Sequence, residues 1–343
     1  MVSPNRSFAF PGLELMPLSA PTMGSVPQTL PNPQAHVRGP RRFVAAGRAV
    51  AAKPRVEAPE PLRLWHLTSL DAPTVAAVWA LGFAWAGGVR LPVWIPVLLA
   101  LSGWAVYILD RLMDARRALR DGDLDELHER HIFHYRHRRV LTPLAGCATV
   151  ASATMIFTLM PAAARERNSV LAAAALVYFA GVHGSPRMAW AARLRLAPIF
   201  KKEFLVGMLF TAACALPALS RVAAGARPAL AGEAVLFALL AWLNCHAIDR
   251  WEAHTGGGNQ VFRLACWLTL GGLLLACLLM QADQRAAELA TAAALSSLLL
   301  AALDLLRSRL SPLALRAAAD LVLLTPLVLL LSSALPIARA PWR

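Results

Sequence analysis

Charge is scarce in this chain, and acid is scarcer than base. Only 16% of its 343 residues are charged and 57% are hydrophobic, with 20 Asp and Glu set against 34 Lys and Arg. A soluble domain carries about 25% charged and 45–50% apolar residues, so the shortage argues against one and for an integral membrane protein. Tyrosine is also rare, three residues against ten Trp and 24 Pro, which suits interfacial anchors and short turns better than a soluble aromatic core. No CxxC spacing occurs. Cys147, Cys214, Cys245, Cys266 and Cys277 fall in or beside apolar runs and read as small buried hydrophobes, not as a disulfide or metal framework. A secretory signal pattern is missing too, because Arg6 alone precedes the apolar stretch Phe8 to Met16, and Pro11 and Glu14 interrupt it.

What is present is a series of long apolar runs. Residues 1–62 are rich in Pro, Ser, Arg and Ala without sustained period and read as a disordered basic tail. Residues 63–343 read as a transmembrane helical domain. Nine runs, at about 73–90, 92–110, 140–160, 169–185, 203–220, 231–249, 263–280, 287–305 and 317–336, each approach the roughly 20 residues needed to cross the hydrocarbon. The expected fold is therefore all-α, a polytopic bundle of nine transmembrane helices.

A formal charge of +14 suits either nucleic acid or an anionic membrane surface, and its distribution favours the membrane. Most basic residues fall in the tail and in alternate breaks, after the second, fourth, sixth and eighth runs. The positive-inside rule then places the N-terminus in the cytosol and the C-terminus outside, in a bacterial-type inner or cytoplasmic membrane.

Carboxylates where a membrane helix meets water are costly and often functional. Asp110 and Asp114, four apart in WAVYILDRLMDARRALRDGD, share a helical face on which they could hold a divalent cation. The plainer alternative is that Asp110 pairs with Arg111 or Arg117 and ends the span. The segment WLNCHAIDRWEAHTGGGN repeats the pattern four spans later: Asn244, Ile248 and Glu252 form one four-step face, Asp249 lies beside it, and three glycines follow as a flexible loop or an anion-binding turn. Arg187, Arg193, Arg195, Lys201 and Lys202 line the break before the fifth run. They serve as positive-inside charge and lipid contacts, or as partners of a diphosphate whose oxygens a metal neutralises. His128, His131, His134 and His137 recur every third residue in DELHERHIFHYRHRR. No carboxylate or cysteine set completes a metal site there, and the segment reads as a basic interfacial helix over a cavity mouth or on headgroups, gaining charge on mild acidification.

With nine runs and polar clusters ending the second and sixth, the chain resembles the UbiA-type intramembrane prenyltransferases. YILDRLMDARR is similar to that family's first acidic motif, with Tyr107 one turn before, Asp110 in place of its leading Asn, and Ala118 at its last acidic position. The second motif falls on Asn244, Ile248 and Glu252, where one of three positions is acidic. The resemblance spans roughly 65–340. It implies a helical bundle with a central cavity near the cytosolic rim and Mg2+-dependent transfer of a prenyl group from an isoprenoid diphosphate to an acceptor. Asp110, Asp114, Asn244 and Glu252 would be the catalytic residues, and Asp110, Asp114, Asp249 and Glu252 the metal ligands. Lys201, Lys202, Arg195 and Arg117 would hold the diphosphate. A non-catalytic protein of the same fold that binds isoprenoid lipid is the alternative, and Ile248 favours it. A transporter is a third class, disfavoured by the few charges within the central runs. No nucleic-acid partner is expected.

Overall fold

The computed structural model describes residues 55–121, 128–183, 202–252 and 258–334. Among them the chain is all-helical apart from turns and one isolated parallel bridge, Val56 to Leu310. The helices are α1 (Glu60–Leu67), α2 (Asp71–Ala86), α3 (Trp94–Asp121), α4 (Glu129–Arg136), α5 (Arg138–Leu159) and α6 (Ala162–His183). They continue as α7 (Lys202–Leu219), α8 (Arg227–Glu252), α9 (Gln260–Leu279), α10 (Gln284–Leu306), α11 (Pro312–Leu321) and α12 (Pro326–Ala334).

Over the described residues eight of the nine apolar runs each fall on one helix and the ninth is divided between α11 and α12, and length and straightness separate them further. Five helical segments are long and apolar enough to cross a membrane: Trp94–Arg120, Arg138–Leu159, Ala224–Glu252, Gln260–Leu279 and Gln284–Leu306. Counting two bent pairs as single spans raises the number to seven, α1 with α2 at 89° and α11 with α12 at 42°. Within α7 the apolar stretch Glu203–Leu219 is shorter, and α6 carries Arg165, Glu166 and Arg167 in its first turns. The tail boundary expected at residue 62 falls inside α1. Val56 N–H donates to the Arg309 carbonyl (2.8 Å) and Ser311 N–H to the Val56 carbonyl (2.9 Å), so residues 55–62 are held by backbone bonds that composition does not reveal. Residues 1–54 lie outside the described residues.

Burial separates the spans. About half of the α8 and α10 windows is buried, 50% and 56%, against 22% for α5 and α9. The outer faces of the latter present Val150, Phe157, Trp267, Leu274 and Leu278, apolar side chains that a lipid environment covers at no cost. At the centre Trp79 stacks on Phe237 at 3.8 Å and both meet Phe83, joining α2 to α8. Small residues set the helix spacing, as at Gly207, where a Cβ would lie 2.9 Å from the Trp242 backbone nitrogen.

The break between α11 and α12 follows from Pro326, which has no N–H to give Val322 and forces the turn open. Neighbouring side chains satisfy the backbone there. Ser296 donates to the Val322 carbonyl (2.7 Å), Thr325 to the Ala292 carbonyl (2.7 Å), and the Trp79 indole N–H to the Leu323 carbonyl (2.8 Å). A broken helix is tolerated at membrane depth only with such partners.

Candidate functional site

The corner between α1 and α2 starts the site. Leu70 N–H bonds the Trp65 carbonyl and Ser69 N–H the His66 carbonyl, both at 3.1 Å, the paired closure of a helix C-terminus that places one residue in the left-handed region. That residue is Ser69, with φ 56°, where glycine would be the unstrained choice. Its hydroxyl explains the serine. Arg111 Nε donates to Ser69 Oγ at 3.1 Å, and Ser69 Oγ lies 3.2 Å from His134 Nε2. His134 Nδ1 lies 2.7 Å from the Arg130 carbonyl, and a carbonyl only accepts, so Nδ1 carries the proton and Nε2 accepts from the hydroxyl. Burial pushes the His134 pKa down to about 4, and the Arg111 cation adds to the effect.

The corner also turns His66 and Asp71 inward, each 1% exposed. His66 Nδ1 lies 2.6 Å from Asp71 Oδ2 and 3.6 Å from Asp320 Oδ2. Asp71 Oδ1 accepts from its neighbour's backbone, Ala72 N–H at 2.9 Å. Asn244 Nδ2 donates to the other Asp320 oxygen at 3.1 Å. Residues from α1, α2, α8 and α11 thus meet at one point.

A cavity of about 280 Å³ opens beside this point, lined from six helices. Its lining changes along four of them. From Asp71 to Val75 on α2, Glu203 to Phe210 on α7, Glu252 to Ala241 on α8, and Arg316 on α11 to Leu323 in the turn just beyond it, polar residues give way to apolar ones. The polar end also holds Arg111 and Arg130. Glu252 binds Arg130 Nη1 at 2.9 Å and also pairs with Arg316. Burial lowers the Arg130 pKa to about 10, with help from the Arg316 and Arg111 cations, which still leaves it charged at neutral pH. Glu252 and Arg316 also line a second cavity of about 320 Å³ with Arg55, Arg250 and Arg307.

The structure divides the residues expected from sequence. Asn244, Asp249 and Glu252 line the cavity, and Ile248 lies on the same wall. Asp110 and Asp114 are half-buried on α3 and do not line it; Tyr107 and Arg111 of α3 do. Helical periodicity explains the difference, since Tyr107 and Arg111 form one four-step face and Asp110 and Asp114 the adjacent one. Arg117 is exposed. Lys201 and Arg195 lie outside the described residues, and Lys202 opens α7. Among the described residues, the one group of three ligating side chains close enough to share an ion is His66, Asp71 and Asp320. The expected magnesium set of Asp110, Asp114, Asp249 and Glu252 is not gathered at one point, and two guanidinium groups already engage Glu252.

The histidine row also differs from expectation. His131 and His134 are buried, and His134 stays neutral on mild acidification because its pKa falls instead of rising. Arg130 of α4 reaches the cavity, so that helix does cover the polar end. Gly256 and Gly257 lie outside the described residues; Gly258 lines the second cavity.

Sequence reasoning passed over His66, Ser69, Asp71 and Asp320, and it read Arg111, Arg130 and Arg316 as loop or capping charge and not as part of a site. A signal existed for Asp320, a lone carboxylate in the apolar run RAAADLVLL, and for the polar string HLTSLD just ahead of the first run. Comparison of the chain with protein-family models, curated proteins and solved structures finds no match.

Proposed function

We propose that this chain is a nine-span, UbiA-like membrane protein that holds an isoprenoid diphosphate in the cavity beside Asn244 and transfers its prenyl group to an acceptor within the membrane. The observation that carries this reading is the graded lining. Arg111, Arg130 and Arg316 stand at the end formed by the starts of α2 and α7 and the end of α8, while Val75, Phe210, Ala241 and Leu323 lie deeper. Such a site suits an anionic head with an apolar tail. At about 280 Å³ it takes the head and the first part of the tail, and the rest would lie among lipid-facing helices.

In this reading Glu252 positions Arg130 and Arg316 and does not bind metal itself. The two guanidinium groups stabilise the charge that grows on the diphosphate as the allylic C–O bond breaks and the electron pair leaves with oxygen. Magnesium brought in with the substrate would neutralise phosphate oxygens. The cationic end is then cytosolic, with the N-terminus inside and the C-terminus outside. Binding without transfer is the second reading, favoured by Ile248 at an acidic position of the family motif.

The test is binding and turnover of geranylgeranyl diphosphate by protein purified in detergent, with and without magnesium, against a panel of acceptors. Arg130→Gln with Arg316→Gln is expected to weaken binding by about tenfold or more, about 1.4 kcal/mol per tenfold, whereas Asp110→Ala with Asp114→Ala weakens it far less. Unchanged affinity in the double arginine variant overturns the assignment. Binding without turnover across the panel selects the second reading.

A further inference from the structure

We propose that His66, Asp71 and Asp320 form a binding site for one divalent first-row transition ion, of the zinc, manganese or iron(II) class, on the wall of the cavity. The inference stands on its own geometry and holds whether or not the cavity takes a diphosphate. One ligand atom from each of the three side chains lies within 4.8 Å of the others. An ion at roughly 2.0–2.2 Å from each donor needs donor separations of roughly 3 Å, and the observed 2.6 and 3.6 Å bracket that value.

Two buried atoms go unsatisfied at this point. His66 Nδ1 stands 2.6 Å from Asp71 Oδ2 and 3.6 Å from Asp320 Oδ2 without well-formed hydrogen-bond geometry to either. Asn244, 5% exposed, donates to Asp320 and leaves its own Oδ1 without a donor. A buried acceptor in that state is costly, and orphans of this kind mark where a ligand or ion belongs. A histidine nitrogen set beside two carboxylates is the donor set of a transition ion, since magnesium prefers an octahedron of oxygens and keeps several waters. Asp71 and Asp320 also face the cavity, which leaves coordination positions open to water or substrate. Asn244, bonded to Asp320, acts as a positioning residue by fixing the orientation of a ligand carboxylate.

The decisive experiment titrates cobalt(II) into chelator-stripped protein in detergent and reads the visible absorption of the bound ion, followed by competition with zinc and with a large excess of magnesium. One cobalt per chain is expected, displaced by zinc and retained against magnesium. His66→Ala and Asp320→Asn should each weaken uptake by about 100-fold or abolish it. Asn244→Ala should weaken it by about 10–100-fold while keeping the spectrum of a nitrogen- and oxygen-ligated ion. Asp110→Asn and Asp114→Asn should leave it unchanged. Absence of cobalt uptake by folded wild-type protein overturns the proposal, as does uptake that is undiminished in His66→Ala. Thermal unfolding of the wild type with and without zinc gives a readout independent of variant folding: a raised midpoint supports the site, and an unchanged one overturns it. Prenyl diphosphate binding is measured separately, so failure of one assignment is distinguishable from failure of the other.

Discussion

Two acidic groups in this molecule look alike on paper and differ in kind. Asp110 and Asp114 are one helical turn apart on α3, half-buried, and outside the cavity. Asp71 and Asp320 are far apart in sequence yet converge on His66 beside it. Spacing makes neighbours of the first pair whatever the fold does; only tertiary packing makes neighbours of the second. Nearness that packing has to create is the stronger evidence of a site, because it requires burying carboxylates that solvent would otherwise stabilise. The sharpest way to break the comparison is to delete a carboxylate from each group. Asp71→Ala removes the partner of buried His66 and should cost about 3–5 kcal/mol, read as a lowered thermal midpoint in detergent. Asp110→Ala should cost under about 1 kcal/mol. Equal losses would erase the distinction.

The second prediction concerns the layer behind the buried cluster. His134 is fully buried with its pKa lowered to about 4, against about 6.5 when unfolded. The neutral form is therefore the folded one. Its contribution is complete above about pH 6.5 and drains away as pH falls toward 4, because the unfolded chain takes up the proton first. A difference of this size amounts to about 3 kcal/mol as an upper figure. Unfolding followed between pH 7 and 4 should show the loss, and His134→Gln, starting from lower stability, should flatten it.

How much of this was legible beforehand follows the same division. Apolar runs depend on composition alone, and over the described residues they fall on helices, the last of them on a broken pair. The bends at Ser69 and Pro326 depend on what packs there: a hydroxyl shared with Arg111 and His134 in one case, Ser296, Thr325 and Trp79 in the other. Of the site, the α8 face of Asn244, Ile248 and Glu252 could be read from its four-residue repeat. On α3 acidity pointed to Asp110, whereas the neighbouring face of Tyr107 and Arg111 lines the cavity. His66 and Asp320 stand alone in their local sequence, and only the fold brings them together.

A third, smaller effect tests whether the cavity depends on close helix approach. Gly207 lines it, and an added Cβ would stand 2.9 Å from the Trp242 backbone nitrogen and 3.3 Å from the Ala238 carbonyl oxygen. Backbone cannot swing aside as a side chain can. Gly207→Ala should force α7 from α8 and cost about 1–3 kcal/mol, with weaker ligand binding at the cavity. Gly103 on α3 has nothing within 4 Å of its added Cβ, and Gly103→Ala should be neutral or slightly stabilising through helix propensity.

The smallest difference is also the most specific. Ser69 holds a left-handed backbone conformation at φ 56°, which costs a non-glycine residue roughly 1–2 kcal/mol, and its hydroxyl joins Arg111 to His134. Ser69→Gly relieves the backbone and removes the hydroxyl, while Ser69→Ala removes the hydroxyl and keeps the strain. Both should be destabilising, because a buried arginine donor and histidine acceptor lose a partner at about 1–3 kcal/mol. The alanine variant should be the worse by about 1 kcal/mol, read as a lower thermal midpoint. A glycine variant as stable as wild type would mean that the hydroxyl bridge contributes no more than the strain it requires. The corner would then be a helix end and nothing else, and the contrast between the buried cluster and the α3 pair would have to rest on His66, Asp71 and Asp320 alone.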